Sequence, residues 1–287
     1  MIAALILLLQ ITGSKSSVAP RALPPAAAVG ARPPTIMRPW TVVVDAGHGG
    51  PDRGMKGPIG AARRLEEADI TLAVSKRLRD ALRSRGVTVL MTRTTDTLIA
   101  LADRGAIANH AQADLFISVH INAANPHWSD PNAARGFETY FLSAAKTEDE
   151  KRVEDMENDA SNYDVGVEAN PGDPLSYLLA DMQQNEYLRE SSHLAAVIQH
   201  GLGGVRPSGL DRGVKQAGFR VLVTAHMPAV LVELGFGTNA SEAAYLSSGT
   251  GQQQLANAIA DATMDYLSQY MQRRNASAPG APRPGAR

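Results

Sequence analysis

Three apolar runs in this chain finish in side chains that can bind a metal ion or carry a proton. TVVVDAGH reaches His48, LFISVH reaches His120 and VLVE reaches Glu233. A core strand has no structural use for a polar residue at its end. In open α/β sheets, by contrast, ligands sit at the carboxyl edge of the strands. If the three strands are parallel neighbours, two imidazoles and a carboxylate meet at one spot. That set matches the protein half of a zinc hydrolase site, where N/O ligands leave one coordination position for water. Taken singly, each residue is better explained as a satisfied core histidine or half of a buried ion pair. Their common placement is what points to a site. The glycines around His48 do not make a nucleotide loop, because the Lys, the Ser/Thr and the G-x-G-x-x-G spacing are all missing.

The elements that must hold these residues alternate along the chain. TVVVDAG (41–47) is a buried strand, and ADITLAVSKRLRDALRSRG follows with Ile70, Val74, Leu78 and Leu82 four apart and Gly86 past its end, an amphipathic helix. VTVLMTR (87–93) reads as a strand, IALADRGAIANHA as a short helix and ADLFISVHIN (113–122) as a strand. GFETYFLS (136–143) alternates as an exposed or edge strand does. Asp173 and Pro174 open a long helix that runs to Gly201. FRVLV and AVLVELG (229–235) are further strands, and SEAAYL and QQQLANAIADATMDYLSQYM (252–271) are closing helices. Strands alternating with helices predict a single α/β layered domain, with a mostly parallel twisted sheet flanked by helices.

Composition narrows the chemistry. The chain has 287 residues, 44% hydrophobic and 20% charged, with a formal net charge of −1. That balance gives no electrostatic reason to bind nucleic acid or an anionic membrane. No cysteine is present, so thiol nucleophiles, disulfides and Cys-based zinc sites are excluded. Residues 2–9, IAALILLL, are too short to span a bilayer stably but suit the core of an export signal, although no Lys or Arg precedes them. A Pro/Ala-rich spacer follows. The expected organisation is a signal-like run and linker over 1–39, a catalytic domain over 40–274 and a disordered tail over 275–287.

The motifs VVVDAGHGGPDRGMKG, EADITLAVSKRL, TRTTDT, ADLFISVHINA, GFETYFLS, RGVKQAGFRVL and MPAVLVELGFGTN appear in the order seen in one family. Over roughly 41–271 the chain resembles the zinc-dependent N-acetylmuramoyl-L-alanine amidases of the bacterial cell-separation type. The resemblance implies that His48, Glu67 and His120 bind zinc, and that Glu233 is the catalytic carboxylate. Glu67 fits the family's E-x-D-x-x-L pattern in EADITL; neighbouring Glu66 points about 100° away around the helix. It also implies the substrate, the amide between N-acetylmuramic acid and L-Ala in peptidoglycan, cut for cell-wall remodelling or daughter-cell separation. The expected location is periplasmic or secreted, with no stable membrane span. Asn122, just after His120, is a candidate for lining the substrate cleft. His226 is expected at the surface or behind the ligands, and His110, His127, His193 and His200 are read as structural or solvated.

Residues 144–173 are rich in Asp and Glu and poor in apolar residues. One reading is a solvated surface segment. The resemblance implies another: regulated amidases carry a segment here that can lie over the cleft and offer it a carboxylate until an activator protein removes it. Glu154, Glu157 and Glu168 are the candidate blocking residues. Two competing functions remain open from the residues alone, a non-catalytic peptidoglycan-binding module and a zinc peptidase acting within the stem peptide.

Overall fold

A six-stranded sheet forms the centre of the molecule, and its order decides whether the three strand ends meet. In this computed structural model the described residues are 38–62, 64–163, 182–206 and 210–276. The apolar run at 2–9, Glu168, Asp173 and Pro174 lie outside them. The sheet strands are β1 (Thr41–Ala46), β4 (Thr88–Met91), β5 (Leu115–Asn122), β6 (Phe137–Leu142), β7 (Asp211–Ala217) and β8 (Ala229–Phe236). A small ribbon pairs β2 (Lys56–Gly57) with β3 (Leu65–Glu66). The order in the sheet is β4-β1-β5-β8-β6-β7, parallel throughout except where β6 runs antiparallel to β8. The strands carrying His48, His120 and Glu233 are therefore parallel neighbours.

Helices cover both faces, which is why the central strands read as continuous apolar runs rather than as alternating ones. Val42, Val44, Ile117, Val119, Val230 and Val232 face a layer made by α1 (Glu67–Ser84), α4 (Met182–Gly203) and α7 (Gly249–Ala276). Val43, Phe116, Tyr140 and Leu231 face the other layer, with α2 (Leu101–His110), α3 (Glu148–Asn158) and α5 (Arg220–Val223). A further helix, α6 (Ala240–Ser247), precedes α7. Among the described residues no helix is long and apolar enough to cross a membrane.

Three expectations are corrected. GFETYFLS is not an edge strand: β6 lies between β8 and β7 and is almost wholly buried. FRVLV is not a strand but the short helix α5 after Phe219. The edge is instead β7, DRGVKQA, whose polar sequence suits a strand with one neighbour. Lastly, α7 continues to Ala276, two residues into the expected tail.

A buried ion pair ties the sheet to α2 just below the site. Asp45 accepts from Arg104 Nη1 at 2.9 Å, Ser118 Oγ at 2.6 Å and Thr92 Oγ1 at 2.6 Å. Burial alone would raise its pKa, but the guanidinium and the two hydroxyls outweigh burial and hold it below the usual 3.8. A depressed carboxylate contributes stability above its unfolded pKa, which is lost as pH falls through the folded one. Asp45→Asn is therefore expected to cost about 3–5 kcal/mol near neutral pH, because Arg104 is left buried and unpaired. Urea unfolding of both proteins should show that gap closing as the pH drops below 3.8.

Candidate metal centre

The loop after β1 turns sharply to present His48, whose backbone takes φ +59°. That left-handed conformation is costly for a residue with a Cβ, so the loop needs restraint. Two buried arginines supply it. Arg93 donates to the carbonyls of Ala46 (2.9 Å) and Gly47 (2.8 Å), and Arg104 to those of Ala46 (2.9 Å) and His48 (3.1 Å). Burial, with Arg104 close by, pulls the Arg93 pKa down to about 10, still charged at neutral pH.

Two glycines clear space for the ligands. A Cβ at Gly47 would lie 2.5 Å from the His120 ring, and one at Gly54 2.6 Å from Glu67 Oε2. The chain then runs onto the start of α1, where the Glu67 and Ala68 N–H groups donate to the carbonyls of Met55 and Arg53 at 3.0 and 3.2 Å. These bonds use donors that a helix start leaves without partners and fix where the Glu67 side chain begins. Glu66 instead pairs with Arg53 (2.6 Å) and Lys56 (3.1 Å) at the surface, away from the cluster.

The side chains of His48, Glu67 and His120 converge, and a fourth, Glu157 of α3, joins them. Their ligating atoms all lie within 4.8 Å of one another and all four residues are buried. Glu67 Oε1 is 3.2 Å from both His48 Nε2 and His120 Nδ1. Glu157 Oε2 is 3.2 Å from His48 Nε2 and 2.6 Å from His120 Nδ1, without the alignment of a hydrogen bond. Asp52 Oδ2 accepts from His48 Nδ1 at 2.8 Å, which turns Nε2 towards the cluster. Glu67 is oriented by the Met55 and Ile121 N–H groups, both donating at 2.8 Å.

These residues fit a divalent metal. His48 Nε2, His120 Nδ1 and both Glu157 oxygens are buried with no hydrogen-bond partner among the described residues. Buried polar atoms are rarely left so, and here they all face one point. Two imidazoles and a carboxylate are donors that zinc accepts. Burial lowers the histidine pKa values, yet the carboxylates of Glu67 and Glu157 overcome it: His48 is raised well above 6.5 and His120 to about 10. For Glu67, burial is outweighed by the two imidazoles, which hold its carboxyl far below its usual range.

Glu233 sits beside this group on β8, fully buried, in register with His120. Neither of its oxygens has a hydrogen-bond partner among the described residues. Burial and the neighbouring carboxylates Glu157, Glu67 and Glu138 push its pKa well up, against His120. A buried carboxyl beside the ligands, with its charged form disfavoured, is suited to taking up a proton and giving it back.

The other expected residues separate. Asn122 is fully buried on β5, accepting from Arg152 Nη2 at 3.3 Å. Glu154 is not at the imidazoles: it accepts from the Gly218 N–H and from Lys151, both at 2.7 Å. His226 is exposed just before β8 begins, at the end of the sheet opposite the cluster. Sequence reasoning overlooked Asp52, Arg93 and Arg104. Asp52 stands four residues after His48, a spacing that offered a signal; Arg104, on a short helix, offered none.

Over the site, the described part of the acidic segment forms the helix α3, Glu148–Asn158, rather than a solvated loop. Thr147 and Glu150 form a reciprocal capping box at the start of α3. Val153 is fully buried in the core cluster that also holds Phe219 and Tyr140, contributing about 1.5–3 kcal/mol. Asn158 Nδ2 donates to Gly218 O at 3.1 Å, and Asn158 Oδ1 accepts from the Arg220 N–H at 2.8 Å.

Comparison with known proteins agrees with this geometry. The N-acetylmuramoyl-L-alanine amidase family profile matches residues 42–264. The Escherichia coli amidase AmiA is 35% identical over 231 residues, covering 79% of this chain and 75% of that protein. An N-acetylmuramoyl-L-alanine amidase from Clostridium difficile 630 superposes with a TM-score of 0.58 at 29% identity, over 80% of this chain and 97% of that one. The CwlD amidase of Clostridioides difficile, solved in complex with the GerS lipoprotein, gives a TM-score of 0.59 at 25% identity, covering 80% and 99%. With that match running through every strand of the central sheet, the chain belongs to the N-acetylmuramoyl-L-alanine amidase family of peptidoglycan-cleaving enzymes.

Proposed function

We propose that the chain hydrolyses the amide between the lactyl group of N-acetylmuramic acid and L-Ala with zinc held by His48, Glu67 and His120, and that α3 keeps the site shut. The observation that carries this is the convergence of three buried donors beside an unpaired, buried Glu233. Bound there, zinc would polarise the amide carbonyl and make water a better nucleophile near neutral pH. Glu233 takes the proton from the attacking water as its oxygen adds to the carbonyl carbon. It then delivers that proton to the leaving nitrogen as the C–N bond breaks, giving a lactyl carboxylate and a free L-Ala amine. Asp52 and the Met55 and Ile121 N–H groups keep the ligand side chains oriented throughout.

Glu157 supports the shut state, since its carboxylate occupies the position beside both imidazoles that a substrate carbonyl or water would need. A tethered carboxylate has a high local concentration and competes effectively. Opening would require a partner that takes α3 away. A related amidase solved with a lipoprotein partner is in keeping with that requirement. Export, expected from the run at 2–9, would bring the enzyme to its substrate.

Zinc binding should be strongly pH-dependent. The Glu67 and Glu157 carboxylates raise both imidazole pKa values in the metal-free protein, that of His120 to about 10, so protons compete with zinc for these nitrogens. Affinity is expected to rise with pH below about 10 and to fall on acidification. Competition against a chelator at several pH values checks this, and His120→Ala should lose the metal. Full zinc affinity in that variant would contradict the ligand assignment.

A further inference from the structure

Next to the metal cluster, under α3, the sheet holds a second set of charges that neither metal binding nor proton transfer uses. Glu138 of β6 is fully buried and lies opposite Glu233 in the β6–β8 register. It accepts from Arg212 Nε and from Tyr140 Oη (2.5 Å), and pairs with Lys215 Nζ at 2.9 Å. From above, Asp149 of α3 accepts from Arg212 Nη2 at 3.0 Å and lies 3.4 Å from Lys215 Nζ. The Arg212 guanidinium is also held 4.9 Å from the Phe236 ring centre. Two cations of β7 are thus clamped between one carboxylate of the sheet and one of the helix.

Removing α3 would upset this balance in one direction. Arg212 and Lys215 would face the cleft with only Glu138 beneath them, a surplus of positive charge. On the opposite flank Arg53 is already shared by Glu66, Asp69 and Asp96. A second, independent sign lies at the end of β5, two residues past His120. Asn122 is fully buried, its Oδ1 accepts from Arg152 of α3, and its Nδ2 has no partner among the described residues. An unsatisfied buried amide is expensive, and this one shares a strand face with His120.

We propose that the floor beneath α3 is an acidic-peptide subsite, in which Arg212 and Lys215 seat a carboxylate of the stem peptide and Asn122 Nδ2 donates to a peptide carbonyl nearer the scissile bond. This rests on the amidase reading above and names the part of the substrate that lies across β8, β6 and β7. Strands are spaced about 4.8 Å apart, so β7 lies about 10 Å from the Glu233 strand. An extended peptide advances about 3.3 Å per residue, which places the carboxylate two or three residues beyond the scissile amide. The helix has matching dimensions. Asp149 and Glu157 are eight residues apart, about 12 Å at 1.5 Å per residue. α3 therefore imitates the substrate at two points, with Glu157 at the imidazoles and Asp149 on the cation pair.

The test uses the full chain carrying Val153→Asp, which lifts α3, together with Asp149→Asn and Glu157→Gln, so that the floor is uncovered and both mimicking carboxylates are neutral. Its zinc-loaded form is given a soluble N-acetylmuramoyl tripeptide with free carboxylates, and the same compound with every carboxylate of the peptide amidated. The acid is expected to show about tenfold higher kcat/KM, carried in KM, as for one charge-assisted contact. Adding Lys215→Met, or separately Arg212→Gln, should bring the ratio near one. Equal kcat/KM for acid and amide in the parent, or a preference that survives Lys215→Met, would overturn the proposal. Calorimetric binding of the free tripeptide and its amide to the same chains reads the subsite without turnover. Tighter binding of the acid that Lys215→Met erases, with no cleavage anywhere, would uphold the subsite and sink the amidase reading. Cleavage without acid preference in either assay would do the reverse.

Discussion

Glu233→Gln is expected to lower kcat by about 10²–10⁴ while the protein still folds and still binds zinc. The substitution keeps volume and shape at a fully buried position and removes only the ability to shuttle a proton. Stability should hold or improve, since burial already disfavours the charged carboxylate and neither oxygen has a partner to lose. Metal content, thermal unfolding and turnover measured on one preparation separate these effects. Activity within tenfold of the parent would mean that another group moves the proton.

The second large effect is a gain. Val153→Asp is expected to raise kcat/KM on peptidoglycan by about tenfold to a hundredfold in the absence of any partner protein. Val153 is the fully buried anchor of α3, and a carboxylate there costs several kcal/mol unless the helix lifts away. Lifting it withdraws Glu157 from the imidazoles. Glu157→Gln alone should activate less, because the capping box, Glu154 on Gly218 and Asn158 still hold the helix over the cleft. Deleting 146–170 should activate as Val153→Asp does. If neither change raises activity, α3 is not a brake.

How far the sequence could be read follows from what each residue answers to. His48, His120 and Glu233 stood out because a buried strand gives a polar end no role except a site. The βαβ pattern implied a mostly parallel sheet but not its strand order, and the structure is what makes the three strands neighbours. Glu67 needed the family pattern as well, since Glu66 beside it is chemically identical and only the helix start separates them. The exchange of FRVLV for RGVKQA as the strand has a plain cause. β7 is an edge with one exposed side and tolerates Arg, Lys and Gln, whereas Phe219, Val221 and Leu222 are apolar because α5 packs on the core. The acidic segment hid its helix for a similar reason. Within α3 Val153 is the one buried apolar residue, so hydrophobic periodicity is nearly absent, although TEDE at 147–150 spells the capping box. Arg93 and Arg104 could not be found from sequence, because their partners are backbone carbonyls of a distant loop.

The most direct measurement of the central claim is the product of digestion. Zinc-loaded protein carrying Val153→Asp would be incubated with intact peptidoglycan, and the soluble material analysed by mass spectrometry with and without a chelator. Free stem peptides that begin with an unblocked L-Ala, absent when the metal is removed and restored by zinc, are the predicted result. Fragments cut within the stem peptide, or the same L-Ala peptides from chelator-treated protein, would contradict it.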